Sequence, residues 1–359
     1  MYEEIGYLKN SLIYSMYSGS HEYFHSNIWV WLMKQDSRYI KVFFPDFDDE
    51  CYYQIFREKD KMDIRIETKL GLRKELYVIE NRFRYFPKVK QFHNLNKRLE
   101  RYNMKGRLLV DIKDSFGLAQ EVGWQFLSYR EIVTRLEEEL KKENLLVTRV
   151  LLQEYLTTLK CIQHLMDEEF NSNKPYLRIS LEDFLQYKKL DLDHIMRKMS
   201  ANEFIAYLKE HLQVYKEHED RVEILGGYVN GCIIIEIYYI LKGTKENWQE
   251  KIGICIQEKQ YRYCVAAKTD DVDGLFESYV GTWFDGEDDT YPTTRKEKKA
   301  ALAPRTHKFF AGILWDKEKY VYQHHNDLVG ICYPFFDKIC RQIDDDLLGF
   351  LQGKKKYGE

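Results

Sequence analysis

The stretch 60–91, DKMDIRIETKLGLRKELYVIENRFRYFPKVKQ, constrains this chain more than any other. Two runs in it alternate apolar and polar residues, Met62–Glu67 and Leu76–Arg82, and a charged segment containing Gly71 lies between them. Period-2 alternation marks a half-buried strand, and a charged segment with glycine supplies a turn, so the two runs predict a β-hairpin. Successive side chains point to opposite faces of a strand, which puts Glu80 and Arg82 on one face and lets Asp63 project toward it from the neighbouring strand. Two carboxylates and a cation then converge. Hard divalent ions take oxygen ligands, usually one or two carboxylates completed by waters and phosphate oxygens, so the grouping suits Mg²⁺ or Mn²⁺ held for phosphodiester chemistry.

The spacing also resembles a known family. Asp63, a turn and then Ile79-Glu80-Asn81-Arg82 is similar to the core motif of the PD-(D/E)XK nuclease superfamily, an Asp, a loop, and Glu-x-Lys on the next strand. Further segments resemble bacterial nuclease-like proteins whose usual motif reads I-E-N-K. The run His21-Glu22-Tyr23-Phe24-His25-Ser26-Asn27 resembles their first-helix motif, with Glu22 at the position of the accessory acid. Gln91, eleven residues after Glu80, is similar to the Gln on their next helix, and Trp124–Ile132 resembles a later segment. The likeness covers roughly the first 170 residues.

The resemblance implies an α/β fold with a three-layer restriction-endonuclease-like core, a mixed central sheet flanked by helices. It implies a divalent-metal-dependent nuclease acting on DNA, in a bacterial setting such as restriction or phage defence. Asp63, Glu80 and the backbone carbonyl of Asn81 would bind the metal, and Gln91 would orient the attacking water or a phosphate. Glu22 would be a third acid near the metal, although an acid in the first turn of a helix also simply complements the helix dipole. One position departs from the pattern, because Arg82 stands at the motif lysine. A guanidinium keeps its proton, so it can offset charge on the phosphate but cannot serve as a general base. Either Arg82 acts purely electrostatically, or Lys88 or Lys90 reaches back from the following helix. The alternative function is a catalytically inactive nucleic-acid-binding module that keeps the fold without turnover.

From Arg82 to Arg107 the chain carries nine basic residues and a single acid, Glu100. Pro87 is placed to open a helix there, and Val89, Phe92, Leu95 and Leu99 give it an apolar stripe, which turns the basic residues toward solvent. A net charge of −3 makes the whole molecule no attractor of polyanions, so nucleic acid must be met by a local patch. Arg84, Lys97, Arg98, Arg101 and Lys105 are the expected phosphate contacts. Phe83, Tyr85, Phe86 and His93 interleave them and suit either base stacking or core packing.

Elsewhere the chain reads as ordinary globular protein. Residues 2–17 have helical period, Ser18-Gly19-Ser20 interrupts it, and Ser20 can cap a second helix with Phe24, Ile28, Trp31 and Leu32 as its stripe. His25 on that helix reads as structural. Residues 39–58 predict strand, loop and strand, with Asp46, Asp48, Asp49 and Glu50 in a solvated loop that lacks EF-hand spacing. A strand over Leu108–Ile112 and helices over Tyr129–Glu143 and Val147–Glu168 complete a first domain, 1–172, followed by a linker at Asn171–Pro175. A length of 359 residues exceeds one typical core, which predicts a second domain. That domain, 176–359, reads as α+β: helices near 180–217, strands at Glu223–Leu241 and Lys251–Ala267, and a closing helix near 326–351. Gly226–Gly231 has no phosphate-loop lysine and reads as a turn. Target recognition, or self-association into a homo-oligomer, is its expected role.

Seven cysteines are scattered with neither a CxxC pair nor zinc spacing, which fits a reducing compartment, the cytoplasm. The first residues, MYEEIGYLKN, lack the pattern of a signal peptide. The longest apolar run, Cys232–Leu241, is interrupted by Glu236 and falls short of a membrane span, so no membrane partner is expected.

Overall fold

The computed structural model describes residues 2–20, 22–70, 73–84, 86–87, 89–114, 117–170, 181–229, 232–245, 247–257, 260–267, 279, 283, 293–295, 300–302, 306–309 and 333–353. The chain divides into two compact units, Met1–Asn171 with Leu185–Ile195, and Ser172–Phe184 with Met196–Glu359. The architecture is mixed α/β, with a five-stranded mixed sheet and helices in the first unit and an antiparallel sheet in the second. The linker predicted at 171–175 lies outside the described residues.

The first unit opens with helices α1 (Tyr2–Asn10), α2 (Leu12–Ser20) and α3 (Glu22–Gln35). Ser20 ends α2 instead of capping α3, and the serine that caps is Ser11, whose Oγ accepts from the Tyr14 amide at 3.2 Å. A short helix α4 (Arg38–Lys41) stands where alternation predicted the first strand of 39–58. Tyr39 and Ile40 are both fully buried, which two adjacent strand residues on opposite faces of an edge strand could not achieve. The Tyr39 hydroxyl donates to Glu143 at 2.5 Å. The acids Asp46, Asp48, Asp49 and Glu50 are exposed, and Asp49 pairs with Lys41 at 2.8 Å.

The sheet runs in the order β1 (Tyr52–Arg57), β2 (Ile64–Leu70), β3 (Arg73–Arg82), β4 (Met104–Asp111), β5 (Gln125–Ser128). The β1–β2 and β2–β3 pairs are antiparallel, so the predicted hairpin forms. The β3–β4 and β4–β5 pairs are parallel. A parallel step needs a crossover, and α5 (Val89–Leu99) supplies it between β3 and β4. On one face Leu76 and Val78 of β3 and Leu109 of β4 form a core with Phe92, Leu95 and Leu99 of α5, the stripe read from the sequence. On the other, Tyr77 packs against the rings of Phe44 and Phe47. Gly106 is needed at this contact, because a Cβ there would lie 2.6 Å from the Phe44 ring. The short helix α6 (Leu118–Glu121) precedes β5, then α7 (Tyr129–Lys142), opened by a Ser128–Glu131 capping box, and α8 (Leu146–Glu169) follow.

One expectation needs correction here. Alternation predicts a half-buried Leu76–Arg82, yet every residue of it is at most 9% exposed, because β3 is a central strand covered on both faces. Glu80, Asn81 and Arg82 are therefore buried polar groups that must find partners inside the protein.

The second unit contains most of α10 (Asp193–His211), which α9 (Leu181–Lys189) precedes, and then α11 (Gln213–Glu217). A meander of β6 (Val222–Val229), β7 (Cys232–Lys242), β8 (Glu250–Gln257) and β9 (Gln260–Ala267) follows, with three short strands at Thr293–Arg295, Ala300–Leu302 and Thr306–Phe309 completing its sheet. Gly226 and Gly227 lie within β6, so the glycine-rich run is strand up to Val229. The closing helix, Tyr333–Leu351, brings Asp344 to the first turn of α11, where it accepts the Gln213 and Val214 amides at 2.9 and 2.8 Å. The charged segments 285–289 and 296–299 lie outside the described residues. No helix of the described residues is long and apolar enough to cross a membrane.

Candidate functional site

The site forms at the end of β3. Antiparallel pairing begins with Ile64 opposite Ile79, so Asp63, one residue earlier, meets Glu80. The two close on each other through the backbone. The Asp63 amide donates to Glu80 Oε1 at 3.3 Å, and Asp63 Oδ2 accepts from the Asn81 amide at 2.8 Å. Arg82, two residues beyond Glu80 on the same face, then turns its guanidinium back over both acids. Its Nη2 donates to Glu80 Oε2 at 2.6 Å, and its Nη1 to Asp63 Oδ2 at 3.2 Å and to the Asn81 carbonyl at 2.9 Å.

Burial sets the energetics of this cluster. The Glu80 side chain is 1% exposed, Arg82 10% and Asp63 21%, so Asp63 is its solvent edge. A carboxylate as deeply placed as Glu80 loses its hydration and needs a cation or several donors in exchange. The planar fork of arginine meets that need with one nitrogen on each acid, so a single guanidinium spans both.

Asn81 points to the other face and anchors the strand. Its Oδ1 accepts from the Tyr129 hydroxyl at 2.7 Å, and its Nδ2 donates to Ser26 Oγ at 3.5 Å. Tyr129 in turn packs on Phe83 and His25. His25 is fully buried, with Nδ1 at 2.9 Å from the Tyr155 hydroxyl, and has the structural role read for it. Burial pushes the Tyr155 phenol well above its ordinary pKa, so it stays a neutral hydrogen-bonding group.

The remaining candidates are distributed unevenly. Glu22 begins α3, but its side chain and that of Lys90 lie outside the described residues, as does the whole of Lys88. Gln91 is exposed on α5 and donates to neither carboxylate. Lys97, Arg98 and Arg101 are exposed; Arg101 lies over the Tyr102 ring, and Arg98 reaches the Asp60 carbonyl at 3.4 Å. Lys105 is exposed too, and pairs with Glu75 at 3.2 Å. Arg84 is the exception to the expected basic surface. Its side chain is 8% exposed and its Nη2 pairs with Asp191 at 3.2 Å, so it is an internal ion pair with no face for phosphate. Phe83 and Phe86 are core residues and His93 is exposed, while Tyr85 lies outside the described residues.

Two groups escaped the sequence reading. Asp111, the last residue of β4, is the register partner of Arg82, and it is fully buried on the same face of the sheet. Its Oδ1 accepts the Ile112 amide at 2.6 Å. The available signal was an acid closing the apolar run Leu108-Leu109-Val110, since the carboxyl ends of parallel strands are where α/β sheets place their ligands. The second is Asp191, Asp193 and His194, whose ligand atoms lie within 4.8 Å of one another, with the Arg84 guanidinium already on Asp191.

Comparison with protein families, with curated proteins and with solved structures returns no match to this chain.

Proposed function

We propose that this chain is a divalent-metal-dependent nuclease that hydrolyses phosphodiester bonds in DNA, built on a three-layer restriction-endonuclease-like core and serving bacterial restriction or phage defence. The observation that carries the reading is the convergence of three oxygens, from Asp63, Glu80 and the Asn81 carbonyl, on a single cation. That cation is the Arg82 guanidinium, and a set of oxygens already gathered around positive charge supports the reading. The set is all oxygen, as Mg²⁺ and Mn²⁺ require. Asp63 and Glu80 would hold the ion with the Asn81 carbonyl. When bound, the ion polarises the scissile phosphate and lowers the pKa of the attacking water. Arg82 offsets the charge that builds on the phosphate, and the exposed Lys97, Arg98 and Arg101 contact the DNA backbone.

A second reading, a binding module without turnover, is favoured by one observation: the Arg82 guanidinium takes up both carboxylates at once. The two readings part in a simple assay. Supercoiled, linear and single-stranded DNA, and RNA, are incubated with the protein in Mg²⁺ and in Mn²⁺. The nuclease cuts at least one of them, and Glu80→Ala cuts none while binding DNA as well as or better than wild type, since a carboxylate repelling the backbone is gone. Mn²⁺ at millimolar concentration should raise Tm by mass action, and Asp63→Ala should abolish the rise. Salt-sensitive binding with every substrate intact establishes the binding module instead.

A further inference from the structure

The first two turns of α8 carry apolar residues outward as well as inward. Leu152, Tyr155 and Leu156 are buried, whereas Leu145, Leu146, Val147, Val150 and Leu151 are 39–74% exposed. From Gln153 onward the outer residues turn polar, with Glu154 and Lys160 in water. A helix that is apolar all round belongs in a core or an interface, and aliphatics exposed side by side mark an interaction site where scattered ones would not. Leu146 with Val150, and Val147 with Val150 and Leu151, are three or four residues apart, so they share one face. Their spacing is also symmetric about the point between Thr148 and Arg149. A two-fold axis there, with two copies of α8 antiparallel, sets Leu146 on Leu151 and Val147 on Val150 of the second copy, and each contact occurs twice, as an isologous interface requires.

We propose that the exposed start of α8 is a two-fold interface between copies of this chain. The five exposures amount to about three whole residues, or about 300 Å² per copy at about 100 Å² for each fully buried aliphatic side chain. Two copies then bury about 600 Å² of apolar surface, which at the apolar share of about 60% found in interfaces corresponds to about 1,000 Å² in all. That is the lower bound for a specific interface, so the pair forms at micromolar concentration and is not obligate. Charge does not oppose it. Glu154 stands at the edge of the face, where it accepts the Tyr7 hydroxyl at 2.8 Å. At 1.5 Å of rise per residue its two copies lie about 16 Å apart along the pair, beyond a Debye length of about 8 Å. Within 145–154 the charged residues are Arg149 and Glu154, so the face lacks the basic rim by which a helix binds anionic lipid. The interface puts self-association on the first unit instead of the second, and it stands whether or not the chain is a nuclease.

The test is sedimentation velocity of the full chain from about 1 to about 100 µM, where wild type should pass from one chain to two with a Kd on the order of 10 µM. Val147→Glu and Val150→Arg each set a charge against an aliphatic partner and should weaken the dimer at least about tenfold. Mixed in equal amounts, the two variants should recover it to within about threefold of wild type, because the new charges face each other across the axis while the second Val147–Val150 contact is unaltered. Both positions are exposed, and circular dichroism checks that each variant is folded. Leu146→Gln, which removes the Leu146–Leu151 contact twice per dimer, takes the place of either one that is not, with the same tenfold loss expected. Wild type that stays monomeric at about 100 µM overturns the interface. So does a dimer that both charged variants leave within about threefold, or that their mixture fails to recover. Vesicles of anionic phospholipid form the last arm: monomeric wild type that sediments with them, while Val147→Glu does not, assigns the face to lipid and overturns the dimer.

Discussion

Salt dependence of DNA binding offers a quantitative check on the basic segment. Of its nine cations, Arg82 and Arg84 are consumed by internal ion pairs, Lys105 faces Glu75, and Arg107 donates to Asn96 at 3.3 Å. Among the described side chains this leaves Lys97, Arg98 and Arg101 exposed and held by no acid. Each phosphate neutralised on duplex DNA contributes about −0.9 to the slope of log affinity against log salt, so these three account for about −2.7. Between about 50 and about 200 mM KCl that difference amounts to about a 40-fold larger loss of affinity for wild type than for a variant lacking all three. The perturbation is the triple substitution Lys97→Gln, Arg98→Gln and Arg101→Gln, which keeps helix-compatible side chains. The assay is fluorescence anisotropy of a labelled duplex in chelator, so that binding is read without cleavage. A triple variant whose slope stays within about 0.5 of wild type refutes the assignment, since a single phosphate contact alone would change it by about 0.9.

The Asn81 anchor predicts that Tyr129→Phe strands a buried acceptor at a cost of about 1–3 kcal/mol, which lowers Tm by about 2–4 °C per kcal/mol in a unit of this size. Calorimetry giving a Tm within about 1 °C of wild type would show that Asn81 finds another donor at no cost. Glu143 predicts a pH dependence. Burial alone would raise its carboxyl, but hydrogen bonds from Tyr39, the Leu145 amide and Arg38 outweigh this and hold it below the usual range. A depressed folded pKa gives stability that is present above the unfolded value of about 4.3 and is lost as pH falls through the folded value. Glu143→Gln should therefore destabilise by at least about 1 kcal/mol at neutral pH, and urea titrations should show the gap narrowing as pH falls below the unfolded value of about 4.3. A gap that is constant with pH would mean the charge contributes nothing.

Local pattern determined a good part of this protein. Alternation in Met62–Glu67 and Leu76–Arg82 was enough for a hairpin that sets Asp63 opposite Glu80, because a strand's period of two fixes which side chains share a face. The stripe Phe92, Leu95 and Leu99 likewise anticipated the buried side of α5, and α7 and α8 fall within a residue or so of their predicted bounds. These are features encoded within a few residues of one another. Tertiary structure decided the rest. The start of 39–58 reads as a strand, yet Arg38–Lys41 is a helix that buries both Tyr39 and Ile40, so burial outweighs β propensity there. Arg84 sits in the most basic stretch of the chain and still turns inward, to an aspartate 107 residues away. Asp111 comes opposite Arg82 in the sheet only through the α5 crossover that sets β4 parallel to β3. The closing of Arg82 over Asp63 and Glu80 has the same origin. An acid buried on a central strand must be compensated by whatever cation the fold brings within reach, and sequence spacing alone does not state how deeply a strand will be buried.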